Sequence, residues 1–245
     1  RCLGCESCFE ACPEQAISVE SPFPSPKVCT LCGTCVDACP SGARRMIGQS
    51  MTVEQVLAEV MRDRAFYEES GGGVTFTGGE PLTQTDFLLA CLAECRANGL
   101  HTTFDTCGYA HWDDLKAAAG LSNLVLYDVK GIDDERHQAT TGVSNHRILR
   151  NLYCLATLEV EVWVRVPLVP GVNDDEGSLK ALGGFLADLP RRFPVWLLPY
   201  HRLGRQKRNL IGMAEACEFP EPSLGHVADC AEILQSYGIE VRTKP

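Results

Sequence analysis

The stretch Gly71-Gly-Gly-Val-Thr-Phe-Thr-Gly-Gly-Glu-Pro-Leu-Thr-Gln-Thr-Asp-Phe-Leu-Leu-Ala-Cys-Leu-Ala-Glu-Cys-Arg-Ala-Asn-Gly-Leu-His-Thr-Thr-Phe-Asp-Thr106 decides the fold. Val74–Thr77 is a short β-prone run, and Gly78-Gly79-Glu80-Pro81 ends it. Phe87, Leu88, Cys91, Leu92 and Cys95 then share one helical face, and the helix stops at Asn98-Gly99. Residues 102–106 read as the next strand. Strand, helix and strand in that order make a crossover unit with parallel strands.

Outward from this unit the alternation continues. Helices are predicted at about 111–119, 144–157, 175–188 and 223–236, and strands at 123–129, 160–167, 195–199 and 239–242. Five or six units in a row predict an α/β fold with a partial (β/α)6-type barrel, open rather than complete. On the other side, Thr52-Val-Glu-Gln55 has capping-box spacing, and Val53, Val56, Leu57, Val60 and Met61 form one apolar stripe. Before residue 49 the character changes to Cys-rich, which divides the chain into segments 1–48 and 49–245.

Composition bounds the function. The chain has 245 residues, 45% apolar and 22% charged, enough for a real core. Lys and Arg number 22 against 32 Asp and Glu, a formal charge of −10, which argues against a nucleic-acid or anionic-membrane partner. No apolar run approaches the ~18 residues of a membrane helix. No basic–apolar signal segment precedes the first Cys.

Eight of the 14 Cys fall within the first 39 residues. Cys2, Cys5, Cys8 and Cys12 are followed by Pro13, and Cys29, Cys32, Cys35 and Cys39 by Pro40. Each lies 27 residues from its counterpart, as Ala16 does from Ala43, so the segment is an internal duplication. The link Glu20-Ser-Pro-Phe-Pro-Ser-Pro26 must be extended, because its prolines exclude helix. C-x2-C-x2-C-x3-C-P is the spacing of a bacterial 4Fe–4S ferredoxin, in which the fourth Cys serves the other cluster. That assigns Cys2, Cys5, Cys8 and Cys39 to one cluster and Cys29, Cys32, Cys35 and Cys12 to the other. The alternative metal, zinc, takes two C-x2-C pairs separated by a longer loop, not four Cys in eleven residues. So many closely spaced thiols suit a reducing cytoplasm. Two adjacent clusters imply electron transfer, either to redox chemistry in the barrel or from a partner that supplies reducing equivalents.

The other Cys show no paired motif. Cys91 and Cys95 sit on an apolar stripe and read as core, Cys107 lies beside the candidate site without a settled role, and Cys154, Cys217 and Cys230 are isolated. The basic segment Arg202-Leu-Gly-Arg-Gln-Lys-Arg208 reads first as a solvated loop, with a partner contact as the alternative.

In parallel barrels the working residues gather where strands run out toward the following helices. Glu80 follows the first strand, Asp105 and Thr106 end the second, Asp128 and Lys130 end the third, Arg165 lies late in the fourth and His201 follows the fifth. Singly, each is an ordinary strand-end polar residue or a helix cap. Together they place carboxylates and cations on one rim, suited to a ligand with ammonium, carboxylate and hydroxyl groups.

The linked motifs carry a resemblance. After the doubled Cys motif come Gly71–Pro81, Asp105-Thr-Cys-Gly-Tyr109, Tyr127-Asp-Val-Lys-Gly131, Thr141-Gly-Val-Ser-Asn145, Trp163-Val-Arg-Val-Pro-Leu-Val-Pro-Gly171 and Leu197-Leu-Pro-Tyr-His201. Together they resemble the activating enzymes of glycyl radical enzymes. These are radical S-adenosylmethionine proteins similar to pyruvate formate-lyase activase, here in the subgroup with a two-cluster ferredoxin insert. The resemblance implies that Gly78, Gly79 and Glu80 receive the methionine amino group of S-adenosylmethionine. It implies that Asp128, Val129 and Lys130 line that site, that His201 lies near the adenosyl end, and that Arg165 lies near the carboxylate. Asp105, Thr106 and Asp128 match a polar cluster that holds a monovalent cation in a relative.

The family's C-x3-C-x2-C motif is absent. Cys8-x3-Cys12, Cys35-x3-Cys39 and Cys91-x3-Cys95 each lack the third Cys. The chain opens at Arg1 inside a motif, so it reads as N-terminally truncated, its barrel lacking the first strand. The resemblance then implies a third, S-adenosylmethionine-binding 4Fe–4S cluster in the full-length protein and an inactive fragment, with no catalytic residue assigned among these residues. It further implies an anaerobic, cytoplasmic enzyme that cleaves S-adenosylmethionine reductively and makes a glycyl radical on a partner enzyme. Reduced ferredoxin or flavodoxin would be the electron donor. The alternative is a two-cluster electron-transfer protein on a barrel scaffold without radical chemistry. A radical enzyme acting on a small molecule is a third reading.

Overall fold

Strands β1 (Gly73–Phe76), β2 (His101–Thr106), β3 (Leu124–Asp128), β4 (Glu161–Leu168), β5 (Val195–Pro199) and β6 (Val241–Arg242) form one parallel sheet in that spatial order. This computed structural model describes residues 1–21, 23–204 and 219–243, so Cys217 and Arg205–Arg208 lie outside the described residues. Each strand lies beside its predecessor, so every crossover steps the same way. Right-handed crossovers then put the helices that connect successive strands on one face. Among the described residues the sheet does not close, and β1 and β6 are its edges.

The strand alternation shows both faces. Along β4, Val162, Val164, Val166 and Leu168 are buried, while Trp163, Arg165 and Pro167 between them are only half-buried. The buried set packs under helices α5 (Thr85–Ala97), α6 (Trp112–Leu121), α8 (His146–Leu155), α9 (Glu176–Ala187) and α10 (Leu224–Gln235), joined by Leu92, Leu115, Leu152, Leu179 and Leu234. Each such side chain contributes about 1.5–3 kcal/mol by leaving water. The odd-numbered residues of β4 face the open side, where the polar site is built.

Helix α3 (Val53–Met61) carries the expected capping box: Gln55 N–H donates to Thr52 Oγ1 (3.3 Å) and Thr52 N–H to Gln55 Oε1 (2.8 Å). Its apolar stripe is half-buried, and the helix packs on α5. Outside the Cys-rich segment, two of the described helices were not anticipated. Helix α4 (Arg64–Ser70) follows α3 closely, and α7 (Asp134–Thr141) is polar but for Ala139 and shows no stripe, being set by its caps, Asp133 and Gly142. The last strand is shorter than its β-prone run, because only Val241 and Arg242 pair with β5. Among the described residues no helix is long and apolar enough to cross a membrane.

The described residues fall into two compact units, one built on Arg1–Met51 and the other on Thr52–Arg202 with α10 and β6. Within the first, the 27-residue sequence repeat is also a backbone repeat. Helices α1 (Ser7–Glu10) and α2 (Thr34–Asp37) are 27 apart, and each is entered from a left-handed residue, Glu6 (φ 60°) or Gly33 (φ 85°). Two further left-handed pairs, Gly4 (70°) with Leu31 (57°) and Gln15 (50°) with Gly42 (60°), keep the same offset. The turn bonds match too: Cys12 N–H to the Phe9 carbonyl corresponds to Cys39 N–H to Val36.

Candidate functional site

Glu80 is fixed before any ligand arrives. It caps the 3-10 turn Pro81–Gln84 through Leu82 N–H (3.2 Å to Oε1), accepts the Thr106 hydroxyl on the same oxygen (2.8 Å), and accepts Cys107 N–H on Oε2 (2.8 Å). Thr106 Oγ1 in turn accepts Gly108 N–H (2.9 Å). The carboxylate is thus tied to the end of β2, with lone-pair capacity left on Oε2 for a further donor. Gly78 just upstream has φ 135°, a conformation closed to side-chain-bearing residues.

A second network lies one strand over. Arg165 projects from β4 between two carboxylates: Nη2 pairs with Asp105 Oδ1, while Nε and Nη2 reach Asp128 Oδ1 at 2.9 and 2.8 Å. Asp105 also accepts the Thr77 hydroxyl (3.1 Å), and Lys130 Nζ stands 3.5 Å from Asp128 Oδ2. The side chains of Arg165, Asp105 and Asp128 are only 21%, 20% and 19% exposed. Burial alone would lower the Arg165 pKa, but Asp128 and then Asp105 outweigh it and raise it above its ordinary value. Val129, fully buried, extends the ladder by donating its N–H to the Arg165 carbonyl (2.9 Å). His201 stands exposed just beyond β5.

The strand-end residues therefore form two linked sets. Thr106 turns to Glu80, whereas Asp105 and Asp128 are bridged by the Arg165 guanidinium. Cys107 lies against Glu80; burial first, then the Glu80 hydrogen bond, push its thiol up to about 11. Cys91 and Cys95 are buried in the packed face of α5.

Three buried asparagines, none of them given a site role from the sequence, pin the loops that carry these residues. The Asn151 amide donates to the carbonyls of Gly108 (2.9 Å) and Ala110 (3.0 Å) after β2. The Asn145 amide donates to Gly131 (3.1 Å) and Ile132 (2.7 Å) after β3. The Asn173 amide donates to Lys130 (2.9 Å) and Pro167 (2.7 Å), joining the ends of β3 and β4. A signal existed in one case. Asn151 occupies a core position of α8 among Ile148, Leu152 and Leu155, where an amide must find partners.

In the Cys-rich unit all eight thiols are free. Their surroundings suit thiolate ligands. Cys5 lies 3.4 Å from the Ser7 hydroxyl and Cys32 3.4 Å from Thr34, again 27 residues on, and these hydroxyls lower both thiol pKa values. Backbone N–H of Arg44, then the Ser41 hydroxyl, bring Cys39 down to about 7. Gly4 N–H points at Cys2 Sγ (3.4 Å) and Ala16 N–H at Cys12 Sγ (3.2 Å). Hydrogen bonds to sulfur of this kind tune iron–sulfur potentials. Arg44, which replaces the buried Ile17 of the first repeat, has its charge supported by Cys8 and Cys35 against a burial cost. Among the described residues no three Cys, His, Asp or Glu side chains converge on a single metal-ion position. A cubane instead spreads its thiolates over separate irons.

An open parallel α/β barrel with this rim, joined to a doubled ferredoxin motif, matches known proteins at both ends. The family profile of the radical SAM superfamily matches residues 27–181, and that of the 4Fe-4S dicluster domain matches residues 1–43. The chain belongs to the radical SAM superfamily, whose members use S-adenosylmethionine in radical chemistry. Among curated relatives, it is 44% identical over 220 residues to the isethionate sulfite-lyase activating enzyme of Nitratidesulfovibrio vulgaris, covering 86% of this chain and 71% of that one. It is 41% identical over 220 residues, with the same coverage, to the trans-4-hydroxy-L-proline dehydratase activating enzyme of Clostridioides difficile. A crystal structure of a domain of pyruvate-formate lyase-activating enzyme from Bacteroides vulgatus superposes with a TM-score of 0.62 at 34% identity. That match covers 71% of this chain and 99% of that one. Within the superfamily, the chain is thus one of the glycyl radical enzyme activating enzymes.

Proposed function

We propose that these residues belong to an enzyme that activates a partner by placing a radical on one of the partner's backbone glycines, with S-adenosylmethionine as the radical source. The reading rests most on one observation: Glu80 and the Asp105–Arg165–Asp128–Lys130 network stand at the ends of neighbouring parallel strands, held in place by the protein itself. When bound, S-adenosylmethionine and a reduced iron–sulfur cluster supply the 5′-deoxyadenosyl radical that removes hydrogen from the glycine.

The chain's own residues bind and orient. Glu80, clamped by three donors, offers its remaining acceptor capacity to the methionine ammonium, a charge-assisted bond. Gly78 and Gly79 let the backbone approach that group. Arg165 and Lys130 present their cations to the carboxylate end, and Asp128, paired with both, holds them there. His201 lines the adenosyl side, Val129 backs the site from the packed face of the sheet, and Asp105 and Thr106 complete the polar wall. Such fixed positioning excludes water and holds the reacting groups at the right geometry. Cys2, Cys5, Cys8 and Cys39 would ligate one auxiliary 4Fe–4S cluster and Cys29, Cys32, Cys35 and Cys12 the other. These pass electrons from a reduced ferredoxin or flavodoxin, in the cytoplasm. Because no C-x3-C-x2-C run occurs among these 245 residues, they are expected to bind S-adenosylmethionine without cleaving it.

The test has two arms. Anaerobically reconstituted protein should carry about eight irons, and zinc at stoichiometry with iron near zero would refute the cluster assignment. Glu80→Gln and Lys130→Met should each weaken S-adenosylmethionine binding at least tenfold, about 1.4 kcal/mol. Unchanged binding in both would favour the electron-transfer alternative, which has no use for either side chain.

A further inference from the structure

We propose that Asn173 is a positioning residue for S-adenosylmethionine: where Pro167 ends the β3–β4 ladder, its side chain ties the Lys130 carbonyl to the Pro167 carbonyl, and so sets where Lys130 stands. The inference rests on the reading of Lys130 given above and extends it to a residue outside the rim.

The argument begins with the ladder. β3 and β4 run parallel and in register from Leu124↔Glu161 to Asp128↔Arg165, and the last bond of the series is Val129 N–H to the Arg165 carbonyl. The next donor from β4 would be residue 167. Proline has no N–H, so the pairing stops there. The Val129 carbonyl is left without a β4 donor there, one residue before Lys130, the residue whose ammonium must be aimed. Asn173 fills the gap from the loop after β4. Its amide nitrogen donates to the Lys130 carbonyl (2.9 Å) and to the Pro167 carbonyl (2.7 Å), and its Oδ1 accepts Val169 N–H (2.8 Å). Both amide hydrogens are committed, and the side chain is buried.

A clamp positions only if its own base is rigid. The two residues after Asn173 supply that. Asp174 accepts Gly171 N–H on Oδ1 (2.7 Å), and its Oδ2 lies 2.7 Å from His226 Nε2 on α10. Asp175 caps α9 by accepting Ser178 N–H (3.0 Å) and pairs with Arg136 Nη1 of α7 at 2.6 Å. Three consecutive side chains thus bind the loop to the strand ends, to α10 and to α7. Lys130 Nζ, 3.5 Å from Asp128 Oδ2, inherits a fixed backbone origin.

The test is equilibrium dialysis of S-adenosylmethionine against the reconstituted 245-residue chain, with hydrogen exchange at the Val169 amide followed in parallel. Asn173→Ala is compared with wild type, with Lys130→Met, with the double variant and with Asn123→Ala. Asn123 is a control of the same chemical kind at the other end of the sheet, where its Oδ1 accepts the Thr102 N–H and hydroxyl. Asn173→Ala should raise the dissociation constant about tenfold and speed exchange at Val169. The double variant should bind no worse than Lys130→Met alone, because Asn173 acts through Lys130. Asn123→Ala should leave binding unchanged while lowering the unfolding midpoint. A purely structural role for Asn173 would lower the midpoint, leave binding at the wild-type value and overturn the inference. Fully additive losses in the double variant would also overturn it. If Asn173→Ala does not fold, Asn173→Ser, which keeps one donor, carries the same comparison. If Lys130→Met binds like wild type, or wild type does not bind, the reading of the site falls and takes the inference with it.

Discussion

Gly108→Ala should be the most damaging single-methyl change near the site. Gly108 has φ 71°, where an alanine costs about 1 kcal/mol. A Cβ built there would lie 1.8 Å from Tyr127 Oη and 2.2 Å from its Cζ, far inside contact distance. The ring cannot simply turn away, because Tyr127 is fully buried and its hydroxyl donates to the Ile148 carbonyl at 2.7 Å. Forcing it aside costs about 1–3 kcal/mol of overpacking. Losing the buried hydroxyl bond costs about another 1–3 kcal/mol. The total, about 3–7 kcal/mol, is a large part of the 5–15 kcal/mol that typically holds a domain together. Urea unfolding followed by tryptophan fluorescence should therefore show the midpoint lowered by more than about 1 M, at an m-value of about 1–3 kcal/mol/M. Adding Tyr127→Phe should recover only part of the loss, because the Cζ contact remains. A loss below about 1 kcal/mol would refute the reasoning. Any surviving folded fraction should bind S-adenosylmethionine poorly, since Gly108 N–H orients the Thr106 hydroxyl that holds Glu80.

Three further outcomes follow from the geometry. Arg165→Met leaves Asp105 and Asp128 facing each other without the guanidinium and should cost about 3–5 kcal/mol. Adding Asp105→Asn should restore part of this in the same urea assay, and no restoration would argue against a shared cation. Asp175 is held down to about 2 by the Ser178 hydroxyl, then Ser178 N–H and Arg136, so its contribution is present above its ordinary 3.8 and lost as pH falls through about 2. The stability gap between wild type and Asp175→Asn should accordingly close between pH 4 and pH 2, and a gap constant over that window would contradict the assignment. In metal-free protein at pH 7.5, iodoacetamide should label Cys39, with its pKa of about 7, well before Cys107, with its pKa of about 11. Iron loading should protect Cys39, and mass spectrometry reads both effects.

Much of this architecture is legible without coordinates. The runs around Val125, Val164 and Leu197 are apolar and short, that around Phe104 is short and rich in β-branched Thr, and helical stripes follow them, so parallel crossovers were the only economical reading. Helix α7 escaped because its Asp134–Thr141 sequence buries little, and only its caps announce it. The rim was visible as strand-end polar residues, since strand ends are where a barrel exposes side chains. Their partnering was not visible. Nothing in the spacing says that Thr106 bonds Glu80 while Asp105 goes to Arg165, because that depends on the stagger of β2 against β3 and β4. The asparagine clamps were missed for a related reason. Asn173 looks like an ordinary turn residue until Pro167, six positions earlier, is seen to have left the β3–β4 pairing without a donor.

The backbone repeat of the Cys-rich unit divides its conformational burden unequally. At each of the three left-handed positions one copy has glycine and the other does not: Leu31 answers Gly4, Glu6 answers Gly33, and Gln15 answers Gly42. The first copy thus holds two side-chain-bearing residues in a conformation that suits glycine, and the second holds one. A duplicated element that began with equal halves has become lopsided in resilience. Stripped of its ligands, the unit should fray from the Glu6–Gln15 side first. A hybrid with glycine at all three positions in both copies would be the sturdier scaffold for grafting paired redox centres elsewhere.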